Sequence, residues 1–153
     1  MTKEKFAELV LESEKTLYRV SMSMLKNETD CEDAVQTAIL SAYEKLDTLK
    51  NEEYFKTWLV RILINDCNRQ LRTKNRIISL SEYSEDVPAI SNDRDIDVKM
   101  ALEHLPVKIL DVIVLYYMEN FSVKEISHIL QIPGGTVKSR LSKGRKLLEI
   151  SME

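Results

Sequence analysis

The segment that decides the fold runs from Phe121 to Leu148 and reads FSVKEISHILQIPGGTVKSRLSKGRKLL. Ser122 and Glu125 form the pattern of a capping box, in which a hydroxyl and a carboxylate each satisfy one free backbone N–H at a helix start. Apolar residues follow at helical spacing, and Pro133–Gly135 predicts the end of that helix and a tight corner. A second helix is predicted after the corner. Its apolar stripe recurs at i, i+4, i+7 and i+11: Val137, Leu141, Gly144 and Leu148.

The second helix of this pair is strongly cationic. The stretch Ile132–Leu148 contains five Lys or Arg residues and no acid, a local charge of +5 in a chain whose total is −3. A cationic helix that follows another across a short turn fits the DNA major groove, where cations meet phosphates and short polar side chains reach base edges. The same periodicity is also typical of an αα-hairpin with a solvated basic face, so the pattern alone leaves both interpretations open.

The composition predicts an all-α protein. Only three Gly and three Pro occur in 153 residues, which leaves long segments free to be helical, and strand-like patterns are scarce. Cys31 and Cys67 lack CxxC spacing and are expected to be free core thiols in a reducing compartment. The most apolar stretch, Ile109–Met118, is far shorter than the about 20 residues of a membrane span. We therefore expect a cytoplasmic protein that is not itself a membrane protein.

Three helices are predicted in the first half of the chain. The first covers residues 3–26, and the second ends near residue 46 after a possible capping box of Thr29 with Glu32. The third runs from Tyr54 to Arg72, and the polar loop Asp47–Glu53 separates it from the second.

The third predicted helix carries a polar stripe beside its apolar face, and Trp58 lies at the edge of this stripe. Tyr54–Arg76 contains six Lys or Arg residues and one acid, a net charge of +5. Such a surface suits a separated nucleic-acid strand, because cations bind phosphates, amides read base edges and a ring supports a stacked base. A solvated helix face with Trp58 in the core would give the same pattern, so this interpretation also stays open. The stripe aligns at about 100° per residue: Arg61, Asn65, Asn68 and Arg72.

An acidic segment separates the two halves. Between Glu82 and Asp97 there are six acids and one Arg, with Ser residues interspersed nearby, which predicts a flexible linker. A short helix is then predicted over Asp95–Leu105, and Pro106 suits the first position of a helix that continues to Met118. The predicted plan is a helical domain at 1–76, a linker at 77–94 and a helical domain with a helix-turn-helix at 95–153. The predicted buried face of the helix after Pro106 has five members: Val107, Leu110, Val114, Leu115 and Met118.

No cluster of residues predicts catalysis. His104 and His128 are 24 residues apart, and neither has metal-ligand spacing with a carboxylate or Cys. The carboxylate pairs are adjacent or linker acids, and the chain has no Gly-rich phosphate loop. We therefore expect no catalytic residue, no metal site, no cofactor and no enzymatic activity.

Several motifs in combination resemble the extracytoplasmic-function (ECF) sigma factors, the smallest members of the sigma-70 class of RNA polymerase initiation subunits. The likeness covers nearly the whole chain. It implies a protein that binds core polymerase, recognises the −35 and −10 promoter elements and promotes melting. The alternative is a helix-turn-helix regulator that acts without polymerase, but such a protein has no need of the second basic helix before residue 73. The motifs are Asp30–Gln36, Trp58–Ile62 with Asn65 and Leu71-Arg72, Leu105-Pro106, Glu125-Ile126 and Ile132–Arg140.

The resemblance implies roles for individual residues. On the second helix, three residues would bind the clamp helices of the polymerase largest subunit: Asp33, Gln36 and Leu40. On the third helix, six would hold the non-template strand of the −10 element: Trp58, Arg61, Asn65, Asn68, Arg69 and Arg72. In the loop, three would take a flipped-out base: Asp47, Lys50 and Asn51. On the closing helix, six would read the −35 element: Thr136, Lys138, Ser139, Arg140, Lys143 and Arg145.

The resemblance also implies partners. These are promoter DNA, the flap of the second-largest polymerase subunit, and a cognate anti-sigma factor that is often membrane-bound. The chain departs from the family pattern at three positions. Arg69 stands where many relatives carry an acid, and Gly134 lies at a variable position of the turn. Gly144 replaces a commoner Ala, which should lower helix stability by about 1 kcal/mol.

Overall fold

Wherever the structure describes the backbone, the chain forms helices, turns and short connections. The computed structural model describes residues 1–80, 100–102 and 104–152, with side chains for 1–74, 100–102 and 104–149. Within these ranges no strand occurs, so the all-α prediction is confirmed. A helical turn lies at residues 100–102. The named helices are α1 Lys3–Leu25, α2 Glu28–Glu44, α3 Phe55–Leu80, α4 Val107–Ile113, α5 Val123–Leu130 and α6 Gly134–Met152, with a π-helical segment at Val114–Met118.

The fold divides into two compact units, the first containing α1, α2 and most of α3, and the second containing α4 and α6. In the first unit, α1 and α2 are separated by only two residues. Lys26 ends α1 in the left-handed conformation, with φ of 58°, and Asn27 caps α2 by accepting the N–H of Asp30 at 3.0 Å. The predicted capping box of Thr29 with Glu32 is therefore wrong, because an asparagine side chain caps the helix two residues earlier.

The core of the first unit combines small residues with aromatic rings. Phe6 of α1 meets Phe55 of α3 edge-on, with ring centroids 5.7 Å apart, and Phe55 in turn contacts Trp58 at 5.8 Å. On α2, the buried stripe contains alanines, which allow neighbouring helices to approach closely. The fully buried alanines recur every fourth residue: Ala34, Ala38 and Ala42.

The helix α3 is longer than predicted. It continues past Arg72 to Leu80, because no Gly or Pro interrupts the intervening residues. Residues 77–80 of the predicted linker are thus helical, and its remainder lies outside the described residues. The predicted loop before α3 contains two short 3₁₀ turns, Leu46–Thr48 and Glu52–Tyr54.

The second unit begins with a helix that changes pitch. Pro106 is the N-cap of α4 rather than its first residue, and the α-helix gives way at Val114 to a π-helical segment. The predicted buried face is wrong at two positions, since Val107 is 47% exposed and Met118 is 50% exposed. Val107 begins the helix outside the core face, and the wider π turn rotates Met118 away from the face that a regular α-helix would give it.

The turn between α5 and α6 differs from the prediction. The Ser122–Glu125 capping box is confirmed, with reciprocal hydrogen bonds of 2.9 and 3.1 Å. The chain reverses at Gln131, which has φ of 56°, whereas no glycine has a positive φ. Gly134 is already the first residue of α6. The prediction that Pro133–Gly135 forms the corner is therefore wrong, because Gln131 adopts the left-handed conformation.

The packing of α4 on α6 explains Gly144. A Cβ atom at this position would lie 2.7 Å from Cδ1 of Ile113 and 2.9 Å from Cγ2 of Ile109. Both distances are shorter than van der Waals contact, so the two helices approach at a point where only glycine fits without rearrangement. The predicted stripe is otherwise confirmed, since Val137 and Leu141 are buried.

Candidate nucleic-acid interfaces

The helix α6 presents its cations to solvent. Its apolar stripe faces the core of the second unit, and the six residues predicted for −35 recognition lie outside that stripe. Thr136 and Arg140 are half-buried, and the other four are exposed. The carbonyl of Pro133 accepts the N–H groups of Thr136 and Val137, which fixes the start of the helix. The exposed four are Lys138, Ser139, Lys143 and Arg145.

One of these cations is held by a residue that the sequence did not indicate. Arg145 donates from Nη1 to the hydroxyl of Tyr117, at a distance of 2.9 Å. Tyr117 belongs to the π-helical segment and is exposed, as is its neighbour Tyr116, and the two rings meet edge-on. A regular α-helical pattern does not place Tyr117 beside α6, so sequence periodicity gave no signal for this contact.

The half-buried Arg140 lies near an acid in the core. Asp111 of α4 is 8% exposed, and its Oδ1 has no hydrogen-bond partner among the described residues. Burial raises the pKa of Asp111 to about 7, and the positive charge of Arg140 opposes this rise. In the sequence, Asp111 is visible only as an interruption of an apolar run. Its burial could not be predicted, because it depends on how α4 packs.

The polar stripe predicted on α3 reaches solvent only in part. Asn65 and Arg72 are exposed, whereas Arg61 and Asn68 are half-buried. Arg69, which is not part of the stripe, is exposed as well. Trp58 is half-buried, and its ring contacts that of the buried Phe55. This partial burial is compatible with both interpretations of Trp58 from the sequence.

A groove of about 240 Å³ lies between α2 and α3 and brings Asn65 and Arg69 together. Its lining is mixed polar and apolar. The carboxylate of Asp66 accepts hydrogen bonds from Arg69 and, at 3.2 Å, from Gln70. Arg69, which departs from the family pattern, is thus paired with Asp66 on its own helix. The other lining residues are Thr37, Ala38, Ser41, Lys45 and Ile62.

The two remaining predicted sites are also accessible. Asp33, Gln36 and Leu40 are exposed along one face of α2, and Leu40 is 66% exposed. The three residues predicted to take a flipped base are exposed as well. Of these, Asn51 uses its side chain to accept the N–H of Glu53 at 3.0 Å, which caps the second 3₁₀ turn. The flipped-base residues are Asp47, Lys50 and Asn51.

Residues 1–80, 100–102 and 104–152 contain no group of three or more His, Cys, Asp or Glu side chains placed to hold a metal ion. None of the helices in those ranges is long and apolar enough to cross a membrane. Cys31 and Cys67 are both buried thiols, as predicted.

Two segments of the chain match known protein families. Residues 9–77 match the Sigma-70 region 2 family, and residues 96–148 match the Sigma-70 region 4 family. The chain is 31% identical to the ECF RNA polymerase sigma factor SigW of Bacillus subtilis, across 94% of this chain and 86% of SigW. It is 29% identical to the RNA polymerase sigma factor SigV of the same organism, across 99% and 93%.

A solved structure gives the same result at the level of the fold. The sigma factor RpoE of Bartonella quintana, crystallised in complex with the anti-sigma factor NepR, matches with a TM-score of 0.84 and 27% identity over 97% of each chain. The order of the two regions and the near-complete coverage agree with the motifs in the sequence. The chain belongs to the extracytoplasmic-function sigma factors of the sigma-70 family.

Proposed function

We propose that this chain directs core RNA polymerase to promoters through two separate cationic surfaces, α3 for the melted −10 strand and α6 for the −35 duplex. The observation that carries the proposal is that each matched region contains one cationic helix. Tyr54–Arg76 and Ile132–Leu148 each carry a net charge of +5, whereas the whole chain carries −3. Charge concentrated on two helices favours two DNA contacts over diffuse attraction.

On α6, the proposed contacts divide by chemistry. Lys138, Lys143 and Arg145 are long cations suited to phosphates, which position the helix without reading sequence. The guanidinium of Arg140 can form the bidentate contact that reads guanine in the major groove. The short hydroxyl side chains of Thr136 and Ser139 complete the proposed set of six residues near the helix start.

On α3, the proposal assigns the melted strand to the stripe and the adjacent groove. Trp58 is half-buried and would contact a base with the accessible part of its ring, and Asn65 presents an amide at the groove. Arg61 and Arg72 supply cations for the strand backbone, and Asn68 and Arg69 complete the set. The loop before α3, with Asp47, Lys50 and Asn51, would receive a flipped-out base.

The remaining proposals concern domains and partners. We assign promoter melting to a region 2 domain at 1–76 and duplex binding to a region 4 domain at 95–153, with residues 77–94 as the linker. The α2 face with Asp33, Gln36 and Leu40 would dock on the clamp helices of the polymerase largest subunit, and the region 4 domain on the flap. RpoE binds an anti-sigma factor, and we propose that this chain is cytoplasmic and binds a cognate anti-sigma factor as well.

The test reconstitutes the chain with core RNA polymerase on a genomic promoter library and maps the run-off transcripts. Arg140→Ala and Asn65→Ala are then compared on the strongest promoter. Arg140→Ala should weaken initiation by about 1–3 kcal/mol and relax preference at one −35 base pair, whereas Lys146→Ala, which removes one exposed α6 cation outside the proposed set, should change sequence preference little. Asn65→Ala should leave −35 duplex binding intact and reduce the permanganate reactivity of promoter thymines.

The two variants act as controls for each other. If each variant lost both −35 duplex binding and promoter melting, the assignment of these two steps to α6 and α3 would be rejected. An equal loss with Arg140→Ala on every sequence would make Arg140 a phosphate contact. Binding of the chain to duplex DNA with no transcripts in the presence of core enzyme would instead indicate a regulator that acts without polymerase.

A further inference from the structure

Asp111 is an acid buried in the unit that carries α6. It lies in α4 between the core residues Leu110 and Val112, and its side chain is 8% exposed. Its Oδ1 atom has no hydrogen-bond partner among the residues that the structure describes. Burying a carboxylate oxygen without a hydrogen-bond partner costs free energy, so Asp111 lowers the stability of the unit unless a nearby positive charge compensates its charge.

The charge that acts on Asp111 comes from α6. This helix packs closely on α4 at Gly144, and Arg140 lies one helical turn before Gly144 on the same side. Arg140 is half-buried, and its guanidinium interacts electrostatically with Asp111. The π-helical segment, which continues α4 directly, contributes the titratable residues Tyr116 and Tyr117, and the acid that follows it, Glu119, is buried as well.

The other cations of α4 and α6 are exposed. Lys108, one turn before Asp111 on α4, is exposed, and so is Arg145, which donates a hydrogen bond to Tyr117. The remaining cations of α6, Lys138, Lys143 and Lys146, are exposed as well. On α5, the titratable and charged residues are also exposed: Lys124, Glu125 and His128. Arg140 is therefore the cation best placed to respond to the charge of Asp111.

We propose that Asp111 is a positioning residue for Arg140: its ionised carboxylate draws the guanidinium towards α4, and the neutral acid releases it to the DNA. The inference rests on the proposed function, in which Arg140 contacts the −35 element. Since α6 offers its outer face to the groove and its inner face to Asp111, the carboxylate and the DNA compete for one guanidinium. The competition would couple −35 affinity to the protonation of a residue that does not touch DNA.

Two physical quantities make the competition effective. The pKa of Asp111 is raised to about 7 by burial, so the acid changes its charge in the range where the DNA measurements are made. At a partly buried site, an opposite charge a few ångströms away contributes on the order of 1 kcal/mol, which corresponds to about a three- to ten-fold change in affinity.

The experiment measures holoenzyme affinity for a duplex that spans the −35 element of a promoter first identified by run-off transcription. Affinities at pH 6 to 8 are compared for the wild type, Asp111→Asn and Arg140→Ala, each with the same core enzyme. The wild type should bind about three- to ten-fold more tightly at pH 6 than at pH 8, beyond any change that Asp111→Asn shows over the same pH range. Asp111→Asn should bind at pH 8 as the wild type does at pH 6, and both variants should lose the Asp111-dependent part of the pH profile.

The outcomes separate the two proposals. If Arg140→Ala leaves the affinity unchanged, the proposed role of Arg140 fails and the inference fails with it. If Arg140→Ala weakens binding but Asp111→Asn keeps the wild-type pH profile, the role of Arg140 stands and the inference is overturned. A pH profile that is lost only in His104→Gln or His128→Gln also overturns it.

A second measurement needs no substitution and covers the case in which Asp111→Asn fails to fold. The NMR signal of the Arg140 side-chain Nε–H in the full chain should titrate with the carboxyl of Asp111, near pH 7. An Arg140 signal that does not change between pH 6 and pH 8 would overturn the proposal.

Discussion

The close approach of α4 and α6 gives the sharpest stability prediction. An alanine at Gly144 would place its methyl group 2.7 Å from Cδ1 and 2.8 Å from Cγ1 of Ile113, and 2.9 Å from Cγ2 of Ile109. Carbon atoms pack at about 3.5–4.0 Å, so the neighbouring side chains must move by about 1 Å. Helix propensity acts in the opposite direction, because alanine is favoured over glycine inside a helix.

The steric cost and the gain in helix propensity have comparable sizes, and the steric cost should be the larger. Overpacking a core costs about 1–3 kcal/mol, whereas the gain from glycine to alanine in a helix is about 1 kcal/mol. We therefore expect Gly144→Ala to lower the free energy of unfolding of the second unit by about 1 kcal/mol. Gly135→Ala is the matched control, since no atom lies within 4 Å of its added Cβ and its φ is not positive. It should raise stability by about 0.5–1 kcal/mol.

The assay is urea denaturation of the full chain, followed by far-UV circular dichroism and by amide hydrogen exchange in α4 and α6. Trp58, the single tryptophan, lies in the first unit, so its fluorescence reports that unit separately. In an Ile113→Ala background, which removes the two nearest atoms, Gly144→Ala should lose most of its cost. Equal stabilisation by Gly135→Ala and Gly144→Ala would refute the close approach.

Three further predictions address the other sites. The Asp111-dependent part of the unfolding free energy should be largest below about pH 4 and should fall up to about pH 7, because the folded-state pKa of about 7 lies above the usual 3.8. Asp111→Asn should remove this contribution, worth at most about 4 kcal/mol, when its denaturation curves at pH 4 and pH 8 are compared with those of the wild type. Tyr117→Phe should weaken −35 binding about two- to five-fold by loss of one hydrogen bond to α6, and Tyr116→Phe should not; equal effects would deny the bond a role. Leu40→Arg should weaken core polymerase binding by about 1–3 kcal/mol in co-elution titrations, whereas Leu11→Arg, at a similarly exposed position of α1, should not; an unchanged affinity for Leu40→Arg would exclude this face of α2.

Features that depend on local sequence were predicted well. The Ser122–Glu125 capping box and the stripe of Val137 and Leu141 follow from residues within one or two helical turns, and both are confirmed. The family resemblance is confirmed as well, because its motifs lie in order along the chain. The roles of the individual DNA and polymerase residues remain predictions, since exposure on a helix is compatible with many contacts.

Features that depend on competing local choices were predicted less well. Asn27 and Thr29 are both good caps, and the sequence alone does not say which of them begins α2. The chain reverses at Gln131, which adopts the left-handed conformation, whereas the corner was expected at Pro133–Gly135. A change of helix pitch at Val114 has no periodic signature, so the exposure of Met118 was missed.

Features that depend on tertiary contacts could not be predicted. Gly144 suggests only a weak helix until Ile113 and Ile109 are seen to occupy the space of its missing side chain. The burial of Asp111 and its electrostatic link to Arg140 arise where two helices meet, 29 residues apart in the sequence. The hydrogen bond that Arg145 donates to Tyr117 likewise joins two segments that are distant in the sequence.

The most direct test of the central claim is run-off transcription with purified core RNA polymerase in the presence and absence of this chain. We predict discrete transcripts that require the chain, open complexes with reactive thymines at the −10 element, and protection of an intact duplex near −35. Core enzyme that neither binds the chain nor starts transcription at defined sites in its presence would contradict the assignment of the two cationic helices to a single promoter.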